Sequence, residues 1–380
     1  MNRAPTLEAQ FSDLTDPRSG DNVRHKFLDI IIIAILATLA NADGWSDMEQ
    51  FGKAKETWLR QYLELPHGIP SHDTFRRLFI LLDPQEFQQC FMNWVNAIHS
   101  LTKGQVVAFD GKCLRGTQDS HAGKEAIYMV SAWAAEDHMV LGQRKVDEKS
   151  NEITAIPELL ALLDVEGCIV TVDALNCQKK TARQIVRQGG DYLLAVKDNQ
   201  PHMREDVQDL FAWAAEVDFA EMVYDQHITI GKGHGRIETR TCTTISDPEC
   251  LAMLGHLKDW ENLRTVVHVH AKRQPGEDIS EEDRYYLSSL PGDTTNLATR
   301  ALEASRSHWG IENELHWVLD MTFGEDYCRT RAGNGAENLA VLRHFALNLI
   351  RREKSSGLSV RAKRLKASWD DRYLLKLLSI

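Results

Sequence analysis

Residues 104–116 read GQVVAFDGKCLRG. The apolar run at 106–109 predicts a short buried strand that ends on Asp110, with Gly111 and Lys112 immediately after it. A strand that delivers a carboxylate to its C-terminal edge is a common way to build a metal or acid–base site. Asp-Gly is equally an ordinary turn. The stretch alone leaves both readings open. The choice depends on a second strand with the same ending and on one helix far along the chain.

The residues after 116 set this strand in a pattern. Two further strands are expected at 126–134 (AIYMVSAWA) and 139–146 (MVLGQRKV), split by a turn at Glu136-Asp137. Their short connections predict an antiparallel meander. A helix is expected over 157–163, with Pro157 at its first position. A fourth strand, 168–172 (CIVTV), ends in Asp173. A helix over 179–188 is stopped by Gly189-Gly190, and a fifth strand at 192–196 ends at Lys197. Strands joined through a helix run parallel with a right-handed crossover. Three antiparallel strands, helix, strand, helix, strand is the order of the ribonuclease H-like α/β fold, an identification by analogy. In that order the first and fourth strands are neighbours, so Asp110 and Asp173 face each other across one edge. Two aspartates held close raise one another's pKa unless a cation lies between them. Magnesium takes one or two carboxylates together with waters and phosphate oxygens. Such a pair suits a two-metal phosphodiester site.

A third carboxylate is expected on 305–320, SRSHWGIENELHWVLD. His308, Glu312, His316 and Asp320 are spaced by four, a stripe that drifts ~40° per step on an α-helix. Ile311, Leu315 and Leu319 border it, so the stripe edges a buried face, where a carboxylate is costly unless paired or metal-bound. Glu312 is therefore the expected third ligand. A zinc site of His308, Glu312 and His316 and simple His–Glu pairing on a helix surface are the competing readings.

The remaining segments bear on partners. Residues 1–100 read as helices, with Ser71 as a cap and Asp73 in the first turn of a helix whose polar side carries Thr74, Arg76 and Arg77. A short turn feeding such a helix is either a DNA-reading element or the solvated face of a bundle. Residues 200–293 interrupt the α/β order as a β-rich insertion. Its hairpin tip holds Lys232, His234 and Arg236 among glycines, candidates for phosphate contact against the plain reading of a turn. Residues 341–380 carry ten Lys/Arg against three acids in a chain of net charge −11. That is a local polyanion footprint or a solvated tail. The overall charge argues against a generally basic nucleic-acid binder. Seven scattered cysteines without a CxxC pair fit a reducing compartment. The greasiest run, 30–40, falls well short of the ~20 residues of a membrane span, so a cytoplasmic protein is expected.

Together these segments resemble the DDE transposases of bacterial insertion sequences, closest to the H-repeat-associated group found beside Rhs elements. The resemblance covers nearly the whole chain. It rests on DGK at 110–112, EKSNEITAIPELL at 148–160, TVDALNCQK at 171–179, GGDYLLAVKDNQ at 189–200, GHGRIETR at 233–240, RYYLSS at 284–289 and HWGIENELHWVLD at 308–320. It implies a helical N-terminal DNA-binding region (1–100) and a ribonuclease H-like catalytic domain (101–380) interrupted at 200–293. It further implies that Asp110, Asp173 and Glu312 hold Mg²⁺, with Mn²⁺ able to substitute. The implied reaction is cleavage at element ends by water, then attack of the 3′-hydroxyl on target DNA. The implied partners are double-stranded DNA and a second copy of the chain in the active complex. In related transposases the glutamate helix reads Tyr-x-x-Arg-x-x-x-Glu-x-x-x-x-x-x-Lys. Here Ser305, His308 and Leu319 stand at the Tyr, Arg and Lys positions, so those three contacts do not carry over. His308, or Arg306 beside it, is the expected substitute for the arginine. Lys112, Arg115 and Lys197 are further candidates for DNA phosphate.

Overall fold

The apolar run at 106–109 does not stop at Asp110. In the computed structural model β1 spans Val106–Leu114, and it stays paired with β2 through Asp110↔Ser131 and Gly111↔Val130. The turn reading of Asp-Gly is therefore excluded. The structure describes residues 10–20, 23–120, 123–146, 152–233, 236–275 and 278–378. Their strands are β1, β2 (Ile127–Ala134), β3 (Met139–Lys145), β4 (Ile169–Val172), β5 (Asp191–Val196), β6 (Tyr224–Gly233), β7 (Arg236–Ile245), β8 (Thr265–Pro275) and β9 (Ser280–Ser288). They form one sheet ordered β3-β2-β1-β4-β5-β9-β8-β7-β6. The first five positions are the ribonuclease H-like order, with β1, β4 and β5 parallel and β2 and β3 antiparallel. The β-rich stretch is not a separate lobe. Its last strand, β9, pairs antiparallel with β5, so the insertion lengthens the same sheet.

The helices follow the apolar periods. At the N-terminus lie α1 (Phe27–Leu39), α2 (Trp45–Leu59), α3 (His72–Leu81) and α4 (Pro84–Ile98). Ser71 caps α3 by accepting from the Thr74 amide, and Asp83 caps α4 through the Gln85 and Glu86 amides. Next comes α5 (Glu152–Leu160), which contains Pro157 rather than starting at it. The proline removes the amide that would bond the Ile153 carbonyl, and the helix runs on to Leu160 without that bond. Then follow α6 (Lys179–Arg187), α7 (Pro201–Glu216), α8 (Leu297–Gly310), α9 (Trp317–Phe323), α10 (Gly335–Arg352), α11 (Val360–Trp369) and α12 (Asp371–Leu378).

Two apolar layers cover the sheet. Strand alternation sends Val107, Val170 and Leu194 to one face, and Val106, Ile169 and Leu193 to the other. On the second face Ala298, Ala301 and Ala304 give α8 a small-residue side on which it lies close against the strands. On the first, α10 packs against α1, α3, α4 and β3, joining the N-terminal helices to the sheet in one core. Its buried polar groups have defined tasks. Asn338 Nδ2 donates to the Phe79 and Leu82 carbonyls at the end of α3, at 2.8 and 3.0 Å. Asn348 satisfies the edge strand β3: Oδ1 accepts from the Val140 amide at 2.9 Å and Nδ2 donates to the Val140 carbonyl at 2.8 Å.

The C-terminal charge excess is partly spent inside the molecule. Arg364 is fully buried, donates to the Thr38 and Ala42 carbonyls and to Asp43, and lies 4.1 Å over the Phe323 ring. Lys363 donates to the Ile350 and Glu353 carbonyls, and Arg343 pairs with Glu325 at 3.5 Å. Buried cations need such partners. Lys354, Arg361, Arg372 and Lys376 stay exposed, which leaves a thinner basic surface than the sequence suggests.

Replacing Asn348 by Leu leaves the amide and carbonyl of Val140 without partners. The expected loss is about 3 kcal/mol of stability, read as a lower denaturant midpoint with an unchanged slope.

Candidate functional site

Parallel pairing of β1 with β4 places Phe109 opposite Val172, so Asp110 and Asp173 come next on adjoining strands. Alternation puts both side chains on the α8 face of the sheet. The same face receives the glutamate helix, which is not a continuous α-helix. After Gly310, residues Ile311–His316 form a π-helical turn before α9 begins. Such i→i+5 turns are frequent at functional sites. The wider turn offsets the drift expected of residues spaced by four, and His308, Glu312 and His316 all address the sheet edge. His308 Nδ1 hydrogen-bonds Thr171 Oγ1 at 3.0 Å, on the strand that ends in Asp173. His316 Nδ1 lies 3.4 Å from Asp110 Oδ2. Glu312 shares a recess of about 100 Å³ with Asp173, Lys197, Arg284, His308 and Trp309.

The electrostatics are those of crowded negative charge. Burial first, and then the charges of Asp173 and Glu312, push the Asp110 carboxyl up to about 8, with Glu152 adding to them. Partial burial and Asp173 raise Glu312, while Arg284 and Lys197 oppose them. Burial drives His308 down to about 4 and His316 down to about 3, so both imidazoles are neutral. His316 Nε2 is buried without a hydrogen-bond partner. Crowded carboxylate oxygens fit a hard divalent cation. The zinc reading does not follow: among the described residues, the group of three ligand atoms that converges within 4.8 Å is His268, His270 and Asp283, on the α7 side of the sheet. Asp110, Asp173 and Glu312 are set wider than that.

Lys112 is not placed as expected of a phosphate contact. Its ammonium is 10% exposed, pairs with Asp320, and reaches Glu325 at 2.7 Å. Strand alternation turned it inward, which a one-residue reading of the loop could not reveal. Arg115 is open to solvent, 3.8 Å from Asp326. Lys197 is exposed just past β5, inside the recess. Arg306 is exposed on α8 and lines a cleft of about 740 Å³ between α8 and the inserted strands. Arg236 lines it too, Lys232 is exposed at the tip beyond it, and His234 lies outside the described residues. Arg76 and Arg77 are exposed on α3, with Arg76 3.3 Å from Asp73. His308 is held by Thr171 rather than turned outward, so Arg306 is the one of the two open to a ligand.

Three groups escaped the sequence reading. Arg284 on β9 lies 4.7 Å over the Trp309 ring and faces both recess and cleft. Arg240 and Arg273 line the same cleft. Glu152, at the start of α5, stands next to Asp110 and Asp173. Arg284 and Glu152 fall in the quoted segments RYYLSS and EKSNEITAIPELL, but nothing in spacing alone says where those side chains point.

Comparison with known proteins bears on this arrangement. The family described as "Transposase DDE domain" matches residues 101–349, and the one described as "DDE_Tnp_1-associated" matches residues 8–95. The chain is 38% identical over 377 residues to "H repeat-associated putative transposase YhhI" of Escherichia coli, covering 98% of this chain and 97% of that one. It is 41% identical over 234 residues to "H repeat-associated putative transposase YbfD" of the same organism, covering 62% and 91%. Among solved structures, the piggyBac transposase synaptic complex with hairpin DNA aligns over 97% of this chain and 77% of that chain, at 12% identity and a TM-score of 0.44.

Replacing Lys112 by Met takes the ammonium from half-buried Asp320 and leaves buried Glu325 with Arg343 alone, at a cost of about 3 kcal/mol at neutral pH. Burial opposes ionisation of Glu325, yet Lys112 and Arg343 overcome it and hold its carboxyl at about 2. A depressed carboxyl stabilises the fold above its unfolded pKa of ~4.3 and stops doing so as the pH falls toward ~2. The stability gap between wild type and Lys112→Met, followed by denaturant titration, should thus be full at neutral pH and shrink as acid neutralises Glu325, first in the variant and only toward pH ~2 in the wild type.

Proposed function

This chain belongs to the transposase DDE-domain family, and we propose that it is a DNA transposase that cleaves element ends and joins them to target DNA, with Asp110, Asp173 and Glu312 as the residues that would hold the divalent ions. The observation that carries this reading is the placement of three carboxylates on one sheet edge, with Lys197 and Arg284 on their open side. Magnesium suits the oxygen donors, and manganese is able to replace it. Bound there, the ions would supply polarisation of the scissile phosphodiester and a lowered pKa for the attacking water or 3′-hydroxyl.

The chain's own groups supply the rest. His316 sits against Asp110, and the Thr171–His308 bond fixes an imidazole beside Asp173. Lys197 and Arg284 offer positive charge to phosphate oxygens entering the recess, and the guanidinium of Arg284 is steadied by Trp309. The cleft with Arg236, Arg240, Arg273 and Arg306 continues from the recess and would follow a nucleic-acid backbone. Arg76 and Arg77 on α3 are the duplex-reading candidates of the N-terminal helices. Two copies of the chain would hold the two element ends. No helix among the described residues is long and apolar enough to cross a membrane.

Asp173→Ala should lower cleavage of end-containing DNA in Mg²⁺ by roughly 10³-fold or more while leaving DNA binding in place. Retained cleavage would sink the assignment. Product analysis of the wild type for joined 3′ ends separates strand transfer from plain hydrolysis. Arg306→Ala should weaken DNA binding uniformly across sequences and reduce the log–log salt slope by about 1.

A further inference from the structure

We propose that Glu152 is a fourth carboxylate of the metal centre, reaching the Asp110–Asp173 edge from the opposite face of the sheet through the space left by Gly111. The proposal rests on the metal-dependent reading above. It begins with Gly111, whose φ lies outside the left-handed region, so its backbone does not call for glycine. Space does. A Cβ there would overlap Oε1 and Cδ of Glu152. By alternation that missing side chain lies on the face away from α8 and Glu312. The side chain of Glu152 thus lies against bare backbone beside Asp110, where any other residue would exclude it.

A second contact ties Glu152 to Asp173. Asn176 is 1% exposed, and its Nδ2 donates to Asp173 Oδ1 at 2.6 Å and to Glu152 Oε2 at 3.2 Å. One amide therefore spans both carboxylates, while Asn176 Oδ1 stays buried without a partner. Among the described residues no lysine or arginine forms an ion pair with Glu152. A half-buried carboxylate in that position needs a cation. The charge of Glu152 raises Asp110, and burial and then the charge of Asp173 raise Glu152.

The test is binding of Mn²⁺ alone to the full chain, counted by the loss of the free-ion electron paramagnetic resonance signal. Wild type, Glu152→Gln, Gly111→Ala and Asp110→Asn are compared, with thermal melts to confirm folding. Glutamine keeps the acceptor for Asn176 and the packing on Gly111 but removes the charge. Glu152→Gln and Gly111→Ala should each weaken Mn²⁺ binding about tenfold or more, or lose one of two ions. Wild-type affinity and stoichiometry in folded Glu152→Gln would overturn the role given to Glu152 while leaving the three-carboxylate centre standing. Mn²⁺ binding unchanged in Asp110→Asn would overturn both.

Discussion

Parallel pairing of β1 with β4, Phe109 opposite Val172, fixes where the charge of this protein has to collect. Once those strands adjoin, two aspartates emerge one step later on the same face. Everything around them acts on the resulting repulsion. Neutral imidazoles from the glutamate helix approach without adding charge of their own, and Lys197 and Arg284 stand on the open side. The one lysine on β1 itself is drawn away, into Asp320 and Glu325. The crowded carboxylates and the structural ion pairs are thereby kept in separate networks on the same strand.

The second network ties the sheet to the helices around it. Arg343, Glu325 and Lys112 link α10 to β1, and Asn348 links α10 to β3. The helix that carries Arg343 and Asn348 also packs on three of the four N-terminal helices. The N-terminal segment is therefore seated on the same core as the carboxylates. Phe345 shows this in one side chain, with ring centroids 4.8 and 5.0 Å from Phe91 and Trp94.

Much of this was legible in the residues, and the rest was hidden for identifiable reasons. Strand periods and the ending of β4 before Asp173 were readable because alternation and apolar runs are local signals, but β1 runs on past Asp110 to Leu114 because β2 stays paired with it. Glu312 was readable because a charged residue on an apolar border is itself a signal. The paired state of Lys112 was not, since its partners lie 208 and 213 residues away. Pro157 misled because proline marks helix starts more often than it is tolerated within the second turn. The excess of cations after residue 341 misled because composition counts charges and not their partners. Arg284 needed β9 to pair with β5, a long-range contact that no local pattern announces.

The π turn at Ile311–His316 puts the two halves of the glutamate helix out of phase. Up to Gly310 the helix presents its alanines to the sheet; from Trp317 on it buries Val318, Leu319 and Phe323 and leaves Trp317 and Met321 in solvent. The extra residue acts as a spacer in angle more than in length. Deleting one residue there would let the segment relax to an ordinary α-helix, shortening it by only ~1.5 Å but rotating everything beyond by ~100°. His316 would leave Asp110, and Asp320 would leave Lys112. At this point the number of residues, more than their identity, sets which side chains reach the sheet edge.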